Sequence, residues 1–110
     1  MSEWAIDQDG CITFDKKTIH VKGTWRLMGP ANYQLVFYDP INEYIQKNCN
    51  KYDIFCFDFT KMNYINSSGI TSLARLCIEA RKNRIKFDFK HEGNSAIKNS
   101  INSILKLNEF

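Results

Sequence analysis

The sequence predicts an α/β domain, a layered sandwich with a mixed β-sheet of four to five strands and three to four α-helices. Three observations predict it. Residues 18–23 alternate, with Ile19 and Val21 on one face and His20 and Lys22 on the other, as a strand with one wet face does. Ile70, Leu73, Ala74, Cys77 and Ala80 recur at three and four residues, the spacing of one buried helical face. Residues 85–90 alternate again, with Ile85, Phe87 and Phe89 inward. Strands interleaved with helices in this order are joined by crossovers, which place parallel strands beside antiparallel ones.

The elements follow in order. Trp4, Ala5 and Ile6 read as a short extended segment that ends in the turn-forming Asp7-Gln8-Asp9-Gly10. Residues 11–14 and 18–23 are predicted strands joined through Asp15-Lys16-Lys17. After a turn at Gly29-Pro30 the chain becomes helical, with Leu35, Tyr38, Ile41 and Ile45 near one stripe. Pro40 interrupts that stripe, so a kink or a restart is expected there, with Asp39 as N-cap. Residues 54–59, Ile-Phe-Cys-Phe-Asp-Phe, are apolar on both faces apart from Asp58, the pattern of a central strand covered on both sides. Residues 60–63 read as a turn leading through Tyr64 and Ile65 into the clearest helix, whose wet side is assigned to Ser72, Arg75, Glu79 and Lys82. Asn83 closes it. A final helix over residues 95–105 is expected to bury Ile97, Ile101, Ile104 and Leu105.

The chain of 110 residues supports one modest core, since 44% of its residues are hydrophobic. Residues 1–10 are assigned as an N-terminal extension able to add a strand, and 11–110 as the domain. A formal net charge of +3 is too mild to indicate a nucleic-acid or anionic-membrane partner. No run approaches the ~20 apolar residues that cross a bilayer. Met-Ser-Glu-Trp lacks the order of a secretory signal. A soluble, cytoplasmic domain is expected. Cys11, Cys49, Cys56 and Cys77 include no close pair, and His20 and His91 have no ligand-spaced partner, so no metal and no cofactor are assigned. The cysteines read as reduced, buried, small hydrophobes. Neither a phosphate-binding glycine loop nor a nucleophile-base arrangement is suggested by spacing, and the chain is expected not to be an enzyme. Arg81-Lys82-Asn83-Arg84 near Phe87 and Phe89 offers residue types that bind nucleic acid. Basic residues in a last helical turn also complement the helix dipole, and the phenylalanines alternate as core residues do.

The informative segment is residues 58–70, Asp-Phe-Thr-Lys-Met-Asn-Tyr-Ile-Asn-Ser-Ser-Gly-Ile. It resembles the central motif of the STAS domain, the fold of bacterial anti-sigma factor antagonists. There a buried strand ends in Asp, a loop passes an aromatic-aliphatic pair, and Asp-Ser-Ser/Thr-Gly-Leu opens a helix. The resemblance runs outward from about Cys11 to the C-terminus. It implies a non-enzymatic module that works by partner switching and signal transduction in transcription regulation. The implied partners are an anti-sigma factor that is itself a serine kinase of the histidine-kinase-like ATPase type, and a PP2C-type serine phosphatase that resets the switch. Neither a nucleic acid nor a membrane is implied. After residue 107 the chain reads short of the last strand and helix of many such domains, so a shortened C-terminal edge is expected.

The resemblance assigns the phosphoacceptor role to Ser67, with Ser68 as the second candidate, and implies a docking surface of Trp25, Arg26, Asn66, Ser67, Ser68, Gly69 and Ser72. The site is physically apt, because unpaired backbone N–H groups and the dipole at a helix N-terminus can receive a phosphate. A serine before a helix is also a common N-cap in its own right. Two positions depart from the family pattern. Asn66 stands where the antagonists carry an acid, and Gly23-Thr24-Trp25-Arg26 stands where they commonly carry Glu-Leu-Asp after the glycine. Both departures also suit a STAS module that binds a ligand or scaffolds a signalling assembly without phosphorylation.

Overall fold

A computed structural model describes residues 2–5 and 10–102. Ile6, the turn over residues 7–9, Ile104 and Leu105 lie outside the described residues. The protein is α/β with a mixed sheet. Strands β1 (Ser2–Ala5), β2 (Gly10–Asp15) and β3 (Thr18–Trp25) form an antiparallel meander. A helical crossover leads to β4 (Ile54–Asp58), which pairs parallel with β3. A tight loop then gives β5 (Met62–Ile65), and helix α3 (Ser67–Lys82) crosses to β6 (Lys86–Lys90), parallel to β4. The short helix α4 (Ser95–Ser100) follows. No helix among the described residues is long and apolar enough to cross a membrane.

One edge of β3 serves two strands. Its first half, Thr18 to His20, pairs with β4, and its last part, Gly23 to Trp25, pairs with β5. The register shifts between Gly23 and Thr24, and Gly23 takes φ +83°, a conformation that glycine adopts at little steric cost. Residues 60–63, read from sequence as a turn, therefore contribute Met62 and Asn63 to a strand. With only four residues, β5 has too little alternation to stand out.

The core lies on one face of the sheet. Ile12, Phe14, Ile19, Val21, Phe55, Phe57 and Phe87 point into it from four strands. Phe57 sits at the centre of an aromatic cluster with Phe59, Phe87 and Phe89. The opposite face carries His20, Lys22, Cys56, Asp58 and Asp88, none of them buried. β4 is thus central but covered on one face, not both. Cys56 and Ile54 supply the apolar character that the sequence suggested for a second buried side, and Ile54 is 36% exposed. All four cysteines are free, and Cys77 alone among them is buried, its thiol pushed up to about 12 by desolvation.

The first helical region differs most from expectation. Helix α1 (Pro30–Tyr33) runs straight into a π-helical turn over Gln34–Tyr38 and then into α2 (Asp39–Asn48). Asp39 is not an N-cap: it is fully helical, and its amide donates to the Gln34 carbonyl five residues back. Widening by one residue accommodates Pro40, which has no N–H to donate and would crowd a regular turn. The wide turn also rotates the helical face. Leu35 emerges 72% exposed, and Tyr33 and Phe37 take the core positions beside Ile41 and Ile45.

Candidate functional site

β3 and β5 run parallel and end together, so their carboxyl ends form one rim of the sheet, where binding sites of open α/β sheets commonly lie. Asn66 closes this rim. Its backbone is extended (φ −86°, ψ 176°), and its amide N–H donates to the Trp25 carbonyl at 3.1 Å, which continues the β3–β5 pairing by one residue. The side chain then caps α3. Asn66 Oδ1 accepts from the Gly69 amide at 3.1 Å and from the Tyr33 hydroxyl at 2.8 Å, and Nδ2 donates to the Leu27 carbonyl at 2.9 Å. One carboxamide therefore ties together the β3–α1 loop, α1 and α3. The capping role that the sequence offered to the serines belongs to Asn66.

Ser67 is the first residue of a sixteen-residue helix and is exposed, while Ser68 beside it is half-buried. The Ser67 carbonyl accepts from the Thr71 hydroxyl at 3.0 Å. Gly69 is buried, and a Cβ there would stand 2.6 Å from Ile65 Cγ1 and 2.9 Å from Tyr33 Cζ. The glycine of the motif thus serves close helix packing and offers no contact surface.

Three members of the expected docking surface are withdrawn from it. Trp25 is 1% exposed, its ring packed edge-on against Phe37 with centroids 5.1 Å apart and its indole N–H donating to the Lys22 carbonyl at 2.9 Å. Gly69 lies under Tyr33 and Ile65. Ser72 is fully buried, not on the wet side of α3, and its hydroxyl has no hydrogen-bond partner. A tryptophan at a strand end satisfies either a surface or a core, and Trp25 continues the inward alternation of Ile19 and Val21, which β3 keeps because the residue extra to the pairing, Asn63, lies on β5. What remains exposed or half-exposed is Arg26, Asn66, Ser67 and Ser68. The Arg26 guanidinium lies over the half-exposed Tyr64 ring, 5.8 Å from its centroid. Arg26, Met28, Tyr64 and Asn66 line one open hollow.

Behind the rim, a second polar group braces the loop between β4 and β5. Asp58 Oδ1 accepts from the Thr60 hydroxyl at 2.6 Å and the Thr60 amide at 2.9 Å, and Oδ2 pairs with His20 Nδ1 at 2.8 Å. Burial would raise the Asp58 carboxyl, but the two Thr60 bonds and His20 outweigh it and hold the group below its ordinary value. His20, isolated in sequence, stands directly across from Asp58 in the parallel register. On the far side of the loop, Asn94 Nδ2 donates to the carbonyls of Phe59 and Met62 at 3.1 and 2.8 Å. Sequence reasoning did not single out Asn94. The available signal was its place two residues before the apolar Ala96-Ile97, where Asn opens a helix. Among the described residues, no group of three or more His, Cys, Asp or Glu converges as a metal site.

Neither a search against protein-family models nor one against curated proteins finds a match for this chain.

Proposed function

We propose that this chain is a non-enzymatic protein-binding module of the anti-sigma factor antagonist kind, and that phosphorylation of Ser67 switches its docking. The observation that carries the reading is the contrast at the rim: Ser67 is exposed, while Asn66 before it and Gly69 after it are locked to three other segments. A serine presented in this way is reachable by a kinase and can be modified without disturbing the core. In the transfer, Ser67 Oγ bonds to the γ-phosphorus of ATP, its hydroxyl proton passes to a base on the kinase, and ADP leaves. The product gains about −1.5 to −2 charges beside the positive end of α3, which tolerates them, and on a contact surface, which does not. The fold persists and the partner is released. The partners in this reading are a serine kinase of the histidine-kinase-like ATPase type, which is also the docking target, and a PP2C-type phosphatase. The test is incubation with ATP and a lysate of the protein's own cells, followed by intact mass. One added phosphate on the wild type and none on Ser67→Ala supports the switch; an unmodified wild type contradicts it.

Asn66 favours a second reading. Its Nδ2 donates to the Leu27 carbonyl, a bond that a carboxylate cannot make, so the position has a structural use independent of any charge next to an acceptor hydroxyl. A module that docks constitutively needs only this bracing. Partner binding unchanged by Ser67→Asp distinguishes it.

A further inference from the structure

We propose that Arg26 is the intramolecular receptor for the phosphate on Ser67, so that modification moves this side chain from the Tyr64 ring to the phosphoserine and reshapes the hollow that Arg26 lines. This rests on the reading of Ser67 as the modified residue and adds what the modification does to the surface. The parallel register pairs Thr24 with Tyr64 and Trp25 with Ile65, and the Asn66 amide bonds the Trp25 carbonyl. Continued by one residue, this register sets Arg26 across from Asn66, so Ser67 directly follows the residue opposite Arg26, and Arg26 and Ser67 are both exposed. Arg26 and Asn66 already line one hollow with Met28 and Tyr64, and no carboxylate lines it. Among the described residues Arg26 forms no ion pair; the aromatic face of Tyr64, at 5.8 Å, is the contact that holds it.

An exposed cation over a phenol ring is weakly held. A phosphoserine offers the same guanidinium a dianion and three acceptor oxygens, which its planar fork can meet with two parallel bonds. The exchange leaves the Tyr64 ring, 47% exposed even with Arg26 over it, without its cation, and Met28 is already 82% exposed. Phosphorylation thus both adds charge at the rim and removes the positive side chain from the hollow. A partner that docks through Arg26 loses that contact as well as meeting the phosphate.

The experiment places phosphoserine at position 67 of the full chain during synthesis, by codon suppression, and follows its second ionisation by phosphorus-31 NMR. An unperturbed phosphoserine has a second pKa of about 6, and a cation in contact favours the dianion. The wild-type background is expected to ionise about half a pH unit or more below the Arg26→Gln background, with Tyr64 ring resonances that shift on phosphorylation only when Arg26 is present. Coincident titrations in the two backgrounds overturn the proposal, as do Tyr64 shifts that ignore the substitution. Because the phosphate is installed without a kinase, such a failure leaves the switch standing, whereas absence of phosphate transfer from ATP removes the switch and leaves the titration interpretable.

Discussion

The Tyr33 hydroxyl donates to Asn66 Oδ1 across 2.8 Å, joining residues 33 positions apart in the chain at the point where α3 begins. Tyr33 is fully buried, so this bond anchors the helix N-terminus to the core from beneath, while Leu27 holds the other end of the same carboxamide. The position of Ser67 is a consequence of this bracket.

Asn66→Asp, which installs the acid found in the antagonists that the motif resembles, is therefore not a neutral exchange. The carboxylate keeps the bonds from Tyr33 and Gly69 but turns an acceptor toward the Leu27 carbonyl. We expect a loss of about 1–3 kcal/mol, the cost of an unmatched polar contact. Urea denaturation monitored by tryptophan fluorescence measures it. An unchanged midpoint would show that the Leu27 bond contributes nothing.

Trp25 and Ser72 are predicted to behave oppositely although both were candidates for docking. Trp25→Ala leaves a cavity among Tyr33, Phe37 and Gly10, and costs about 3–5 kcal/mol. Ser72→Ala removes a buried hydroxyl without a partner and places a better helix former in α3, so stability is expected to rise by up to about 1 kcal/mol. Thermal melts of the two variants are the check, and a Ser72→Ala variant that melts lower would reveal a partner for the hydroxyl.

Gly69→Ala puts a methyl group into Ile65 and Tyr33, whose atoms stand 2.6 and 2.9 Å from the new Cβ. Overpacking of this kind costs about 1–3 kcal/mol. Because Tyr33 must shift to relieve it, the Asn66 bracket loosens, and hydrogen exchange at the Gly69 and Ile70 amides should accelerate in step with the loss of stability.

Asp58 sets an acid limit on the fold. Desolvation pushes its carboxyl up, but the Thr60 hydroxyl and amide and His20 together bring it below 3.8. The native state thus binds this proton less tightly than the unfolded chain. Its contribution is fully present above the unfolded value and is lost as pH falls through the lower folded value. The stability gap between the wild type and Asp58→Asn is expected to be constant near neutrality and to shrink below about pH 4. Urea midpoints across that range test it, and a gap independent of pH would mean that the Thr60 and His20 bonds do not favour the ionised form.

Strong periodicity was legible in the sequence. The inward set Ile19, Val21, Leu73, Cys77, Ala80, Ile85 and Phe87 is buried as its spacing implied. What escaped depends on contacts between distant segments. The π-turn before Pro40 moved Leu35 out and Phe37 in, because one extra residue rotates every later position of a helix. Trp25, by contrast, lies on the same period-two count as Ile19 and Val21, so its inward face was legible in the sequence. At the rim, the strand-loop-helix order and the exposed Ser67 follow from local pattern, but the threefold bonding of Asn66 does not. Leu27 and Tyr33 are 39 and 33 residues away, and nothing in the tetrapeptide Asn-Ser-Ser-Gly names them.

The most direct measurement of the central claim is tandem mass spectrometry of the tryptic peptide spanning residues 62–75, taken from the protein isolated from its own growing cells. The account predicts a fraction carrying one HPO3 group localised to Ser67, lost in a Ser67→Ala strain. A peptide that is never phosphorylated, or one modified at Thr71 or Ser72 and not at Ser67, would contradict it.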